Sequence, residues 1–296
     1  MPLAITNCSW MSQLAQEIHS RYSDRYSRRA YAFDGYERRE ARDLWDTWKD
    51  RQILQTLVML LGFVSTAAVG RRGLCRMASV QKVVVPARGE HRSTAIFLHG
   101  LGDSGEGWQP LVPYMTSSHI KFILPSAPYR RVTMFGGEAV PSWTDVKGLE
   151  EGTPEDKEGF IECVGMISKI IQEEEEAGID PSSIVVGGFS QGGAVALTSM
   201  ARLEEKVAGI VALSTWLPLK ESYPEELSES NKETPILMCH GGADQVVPFS
   251  WGKLSADLLS DMGRKVEFKD FPNMPHSADM EEMKLVQGFL RKVLPE

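Results

Sequence analysis

The chain has 296 residues, 42% of them apolar and 24% charged, a globular balance with enough length to bury a core without disulfides. Its formal charge of −8 is unevenly held, with +4 on residues 1–80 and −12 on residues 81–296, so the larger part would repel a phosphate backbone and nucleic-acid binding is ruled against. The four cysteines, Cys8, Cys75, Cys163 and Cys239, stand far apart with no C-x-x-C pair, which argues against a zinc site or a disulfide framework and fits a reducing compartment.

Residues 20–51 are crowded with Arg, Tyr and Asp, including Arg28-Arg29 and Arg38-Arg39, and show no sustained apolar face. This is the composition of a disordered or solvated arm. Residues 52–70 then run for 19 positions without a charge. As a helix they would rise about 28 Å, close to the hydrocarbon thickness of a bilayer. Against an anchor, Gln55, Thr56, Ser65 and Thr66 dilute the stretch, and too many residues precede it for a simple cleaved signal. Basic residues also flank it about equally on both sides, and the acidic residues of the segment count against a mitochondrial presequence. Three readings stay open: a membrane anchor, a targeting segment, or an unstructured extension missing from a shorter product that begins at Met77. Residues 1–80 are therefore set apart as an N-terminal extension, and residues 81–296 as the folded domain.

From residue 83 short apolar runs alternate with helical patterns. Strands are expected at 83–85, 94–98, 121–124, 184–188, 209–214, 236–240 and 266–271, and helices at 108–115, 157–177, 192–202, 251–262 and 280–293. Such alternation predicts an α/β fold: a mostly parallel sheet with helices on both faces and functional residues at the carboxyl ends of the strands. The run of glutamates at 173–176 reads as a solvated face at a helix end.

Within that frame, residues 184–193 spell IVVGGFSQGG, an apolar strand running into the G-x-S-x-G turn of a nucleophilic serine, Ser190. A serine nucleophile needs a base, and the base an orienting acid. In the chain order of an α/β-hydrolase the acid follows a later strand and the histidine comes last. Asp244, in CHGGADQVVP, and His276, in FPNMPHSADM, stand at those places. Of the other histidines, His19 lies in the extension, His91 and His119 precede strands, and His99 and His240 end strands before the acid, so both of these read as structural. Asp257 and Asp261 fall inside a helix, which leaves Asp270 as the rival acid. An oxyanion hole calls for two backbone N–H groups, each worth about 2.7–4 kcal/mol. Gln191, directly after the nucleophile, supplies one, and Leu101, in the glycine-flanked His99-Gly100-Leu101-Gly102 turn, is the candidate for the other. No metal and no organic cofactor is called for.

FLHGLGDSGEGW (97–108), PSAP (125–128), PSW (141–143), GGFSQGGAVAL (187–197), ALSTWLP (212–218) and CHGGADQVVP (239–248) together resemble the acyl-protein thioesterase and lysophospholipase family of small α/β-hydrolases. The resemblance covers about residues 82–295, with the motifs in family order. It implies Ser190, Asp244 and His276 as the triad, Leu101 and Gln191 as oxyanion donors, and hydrolysis of long-chain acyl thioesters on S-acylated proteins or of lysophospholipid esters. By the same resemblance Trp216 is a wall of the active site, and the segment after PSAP is a flap over an acyl channel, with Val132, Met134, Phe135 and Val140 available to line it. Gly136-Gly137-Glu138 departs from the family's more continuous run, and is expected to loosen that flap or shorten the acyl chain accepted. The implied setting is cytoplasmic, with membrane association through the extension left open. Two alternatives remain: a general carboxylesterase for short soluble esters, and a catalytically silent lipid-binding protein on the same fold.

Overall fold

The computed structural model describes residues 81–150 and 152–295. The arm at 20–51 and the uncharged stretch at 52–70 lie outside the described residues. Among the described residues no helix is long and apolar enough to cross a membrane.

Seven strands form one sheet: β1 (Lys82–Val85), β2 (Ser93–Leu98), β3 (Ile120–Pro125), β6 (Ile184–Phe189), β7 (Gly209–Leu213), β8 (Ile236–Gly241) and β9 (Val266–Phe271), in the order β1-β3-β2-β6-β7-β8-β9. All are parallel except β1, which runs antiparallel along β3 at the edge. The central strands are buried along their whole length because helices cover both faces. The two-residue period of a strand sorts their side chains. Ile96, Leu98, Val186 and Ile210 join one core with helices α3 (Lys157–Glu176), α4 (Gln191–Arg202) and α5 (Phe249–Asp261). Ala95, Phe97, Val185 and Val211 join the other, with α1 (Gly105–Trp108), α2 (Val112–Met115) and α6 (Met280–Val293). The mostly parallel sheet with helices on both faces is thus observed.

Three local features differ from the sequence reading. The helix expected at 108–115 is divided into α1, a 3-10 turn at Gln109–Leu111, and α2, because Pro110 and Pro113 remove two backbone donors within one short stretch. The flap segment contains a two-stranded antiparallel hairpin, β4 (Tyr129–Val132) and β5 (Glu138–Pro141). Its turn places Gly136 at φ 65 and Gly137 at φ 82, in the left-handed region that glycine enters without strain. The glycine pair therefore closes the hairpin, and the loop is tied down: Asp145 accepts from the Thr133 N–H and hydroxyl, both at 2.7 Å, and Met134 N–H donates to the Val146 carbonyl at 2.8 Å. Finally, the glutamate run is not wholly solvated. Glu174 is buried and takes hydrogen bonds from Lys121 Nζ at 2.6 Å and from the Thr94 hydroxyl at 2.5 Å, a cation from β3 meeting the helix end from the sheet side.

A second buried carboxyl has no such partner among the described residues. Glu282, in the first turn of α6, is fully buried with neither oxygen hydrogen-bonded. Burial, the dominant cause, pushes its carboxyl up from 4.5 to about 8, and the Asp279 charge acts in the same direction. Between those two values the unfolded chain gives up the proton while the folded one keeps it. Folding stability from this group therefore declines as pH rises, by up to about 1.4 kcal/mol per pH unit, a loss absent below the unfolded value and complete above the folded one. Glu282→Gln is expected to raise Tm by more at pH 8 than at pH 5 in thermal melts; equal gains at both would contradict this account.

Candidate active site

β6 ends in the turn that carries Ser190. Its backbone stands at φ 54, ψ −122, a region that costs a non-glycine residue about 1–3 kcal/mol. Neighbouring contacts hold it there: Ser190 N–H donates to the Leu213 carbonyl at 2.8 Å, and the Ser190 carbonyl accepts from the Thr215 hydroxyl at 2.7 Å and from Ala194 N–H at 3.0 Å. The flanking glycines are demanded by close approach. A Cβ on Gly188 would lie 2.3 Å from the Gly192 carbonyl carbon, and one on Gly192 would lie 2.3 Å from the Leu98 carbonyl oxygen.

Strand ends deliver the partners. His276, in the loop between β9 and α6, has Nε2 2.9 Å from Ser190 Oγ and Nδ1 2.7 Å from Asp244 Oδ2. A carboxylate only accepts, so the imidazole proton sits on Nδ1 and Nε2 is free to accept from the serine hydroxyl. The other Asp244 oxygen accepts from Val246 N–H and Val247 N–H, both at 2.9 Å. Burial alone would raise the Asp244 carboxyl, but interactions with His240 and His276 and the Val246 N–H overcome it and hold the acid well below the usual carboxylate range. Phe189 backs the His276 ring, centroids 4.8 Å apart, and is itself backed by Trp108 at 5.5 Å. The rival acid Asp270 is exposed on β9.

The turn after β2 is held by His99. This residue is buried, and burial lowers its imidazole to about 4, so it is neutral at ordinary pH. Its Nδ1–H donates to the Gly100 carbonyl at 2.7 Å, its Nε2 accepts from Ala127 N–H at 2.9 Å, and its own carbonyl accepts from Trp143 Nε1 at 2.7 Å. The Gln191 side chain is also engaged: Oε1 accepts from Trp143 N–H at 2.9 Å and Nε2 donates to the Thr144 carbonyl at 3.0 Å, which ties the first residue of α4 to the foot of the hairpin.

A cleft opens onto Ser190, lined by Leu101, Met134, Val146, Leu149, Gln191, Trp216, Val246 and Val247. Of the flap and wall residues expected from the sequence, Met134 and Trp216 face this cleft. Val132, Phe135 and Val140 pack beside it, in one small apolar cluster with the cleft residues Leu101, Met134, Val146 and Leu149. Trp216 is anchored by a hydrogen bond from Nε1 to Glu155 Oε1 at 2.8 Å. Val146, Leu149, Val246, Val247 and Glu155 went unremarked in the sequence; of these only Val246-Val247, an apolar pair just past the acid, carried a readable signal. Among the described residues no group of three or more His, Cys, Asp or Glu is arranged to hold a metal ion. Cys163 and Cys239 are free and buried, and burial pushes the Cys163 thiol up to about 12, far from thiolate chemistry.

A nucleophile elbow, an imidazole and a buried carboxylate in hydrogen-bonded series, at the carboxyl ends of a mostly parallel sheet, define a serine hydrolase of the α/β-hydrolase fold. The phospholipase/carboxylesterase family profile matches residues 80–294, and the chain belongs to that family. Acyl-protein thioesterase 1 of Gibberella zeae is 40% identical over 227 residues, spanning 73% of this chain and 97% of the relative. That of Yarrowia lipolytica is 38% identical over 221 residues, 72% of this chain and 97% of the relative. Among solved structures, acyl-protein thioesterase 2 of Zea mays superposes with a TM-score of 0.67 at 32% identity, over 73% of this chain and 100% of that one. SOBER1 of Arabidopsis thaliana gives 0.65 at 33% identity, over 68% and 98%.

If Asp244 holds the His276 tautomer, Asp244→Asn leaves the fold intact and lowers kcat on a p-nitrophenyl octanoate substrate by about 10⁴-fold. A loss under tenfold in a variant with unchanged Tm would remove Asp244 from the series.

Proposed function

We propose that this chain removes long-chain acyl groups held as thioesters on S-acylated proteins, with lysophospholipid esters as a second substrate of the same site. The carrying observation is the apolar lining of the cleft beside Ser190. Leu101, Met134, Val146, Leu149, Trp216, Val246 and Val247 make its walls mostly apolar, which suits an acyl chain, and each buried CH₂ contributes ~0.8 kcal/mol. The acyl-protein thioesterases among its relatives support the same reading.

The reaction runs in two halves. His276 Nε2 takes the Ser190 proton as Oγ attacks the acyl carbonyl, and the tetrahedral oxyanion is received by the N–H groups of Gln191 and Leu101. Leu101 N–H suits this task because it lies on the opposite edge of the peptide whose carbonyl, that of Gly100, is fixed by His99. Collapse breaks the acyl bond to the leaving thiolate or alkoxide, which receives the proton from His276. Water then repeats the sequence on the acyl-enzyme and releases the fatty acid. Asp244 stabilises the imidazolium in both halves. Met134 and Trp216 contact the acyl chain, with Val132, Phe135 and Val140 holding the flap that bears Met134. The setting that goes with this reading is cytoplasmic, the compartment of unpaired cysteines, at membrane surfaces where acylated substrates sit.

The purified full chain should be assayed on S-acyl peptides of C2 to C16, on lysophosphatidylcholine and on acetyl esters. Thioester kcat/KM is expected to rise about fourfold per added methylene until the cleft is filled, and Met134→Glu should lower the long-chain values at least about tenfold while sparing acetyl esters. Acetyl esters turned over better than C8 to C16 thioesters would replace this reading with that of a short-ester carboxylesterase.

A further inference from the structure

His240, the penultimate residue of β8, lies four residues before the catalytic acid and is 1% exposed. Its Nε2 is 3.0 Å from the Val247 carbonyl and 3.5 Å from Asp244 Oδ2, the same oxygen that His276 engages. Both facing groups are acceptors, so the proton must sit on Nε2. The other ring nitrogen is closed off by packing: a Cβ on Gly252 of α5 would lie 2.1 Å from Nδ1, so glycine there makes room for the ring. Phe249 meets the ring edge-on at 6.0 Å. The imidazole is thus clamped between β8 and α5 with one N–H aimed at both ends of the segment 244–247.

That segment has two duties. Val246 and Val247 N–H hold Asp244 Oδ1, while their side chains line the cleft. Val247 is therefore gripped through its carbonyl by His240 while its N–H grips the acid. We propose that His240 is a positioning residue for the hydrolytic reaction: through Nε2–H it fixes the turn that carries Asp244 and keeps Oδ2 pointed at His276 Nδ1. It touches no reacting atom and acts only through the acid. The inference rests on the Ser190, His276 and Asp244 series and not on which acyl substrate is cleaved.

The two amides that mimic one imidazole nitrogen each separate this role from simple packing. Glutamine carries an N–H near the Nε2 position, whereas the asparagine amide reaches only as far as Nδ1. On p-nitrophenyl octanoate, His240→Asn is expected to lower kcat about 10–100-fold, the scale of losing a group that orients a functional ligand, with KM within about twofold. The downfield proton resonance of His276 Nδ1–H should be lost with it. His240→Gln should restore most of the rate and the resonance. In an Asp244→Asn background, where the acid is already disabled, His240→Asn should cost little further. Full kcat in His240→Asn would overturn the proposal. So would equal losses in both amides, or a cost that is the same with and without Asp244. Should His240→Asn fail to fold, the glutamine variant and its pairing with Asp244→Asn still decide: glutamine losing as much kcat as Asp244→Asn itself, with Tm unchanged, would sink the idea.

Discussion

Everything at the site depends on the backbone of one residue. Ser190 is held in a conformation that only glycine adopts freely, and the surrounding bonds from Leu213, Thr215 and Ala194 over-determine it. The strained turn lets β6 hand over directly to α4, so that the hydroxyl projects from the sheet edge while the first N–H of the helix, that of Gln191, stands beside it. It also dictates composition, since the chain doubles back closely enough to leave no volume for side chains at 188 and 192. Two of the glycines in the motif are thus consequences of the serine's geometry, not independent features.

Around this point the structure reuses the same short segments for different tasks. The residues after Asp244 bind the acid with their backbone and face the cleft with their side chains. Gln191 lends its backbone to the site and its carboxamide to the foot of the hairpin. His99 and His240 are both buried strand-end imidazoles, each spending one N–H on a backbone carbonyl of a loop that borders the cleft. Cleft lining, acid placement and hairpin attachment are therefore coupled mechanically, because a shift in one segment displaces the donor or acceptor used by another.

The main sheet and the triad were legible in the sequence because their signals are local. Strands buried on both faces read as apolar runs, and Ser190, Asp244 and His276 each follow such a run in the order the fold requires. Other features were hidden because they depend on what a distant segment brings. β4 escaped notice since Arg130 and Arg131 break any alternation of apolar and polar residues, and the hairpin is closed by turn glycines that looked like a weakness. Glu174 looked solvated until Lys121, from β3, came to meet it. The cleft residues Val146 and Leu149 sit in a polar loop, and only the convergence of that loop with 246–247 and Trp216 makes a wall of them.

The antiparallel edge strand has a geographic consequence. Because β1 runs against its neighbours, its first residue, Lys82, is paired with Pro125 at the carboxyl end of β3, and Ser126 N–H donates to the Gln81 carbonyl at 2.7 Å. The polypeptide thus enters the domain on the same rim from which the triad loops rise, three strand positions and roughly 14 Å from β6. Were β1 parallel to the rest, that entry point would lie at the opposite end of the sheet. A tag, truncation or fusion made just ahead of Gln81 is accordingly a change at the rim of the sheet that carries the triad loops.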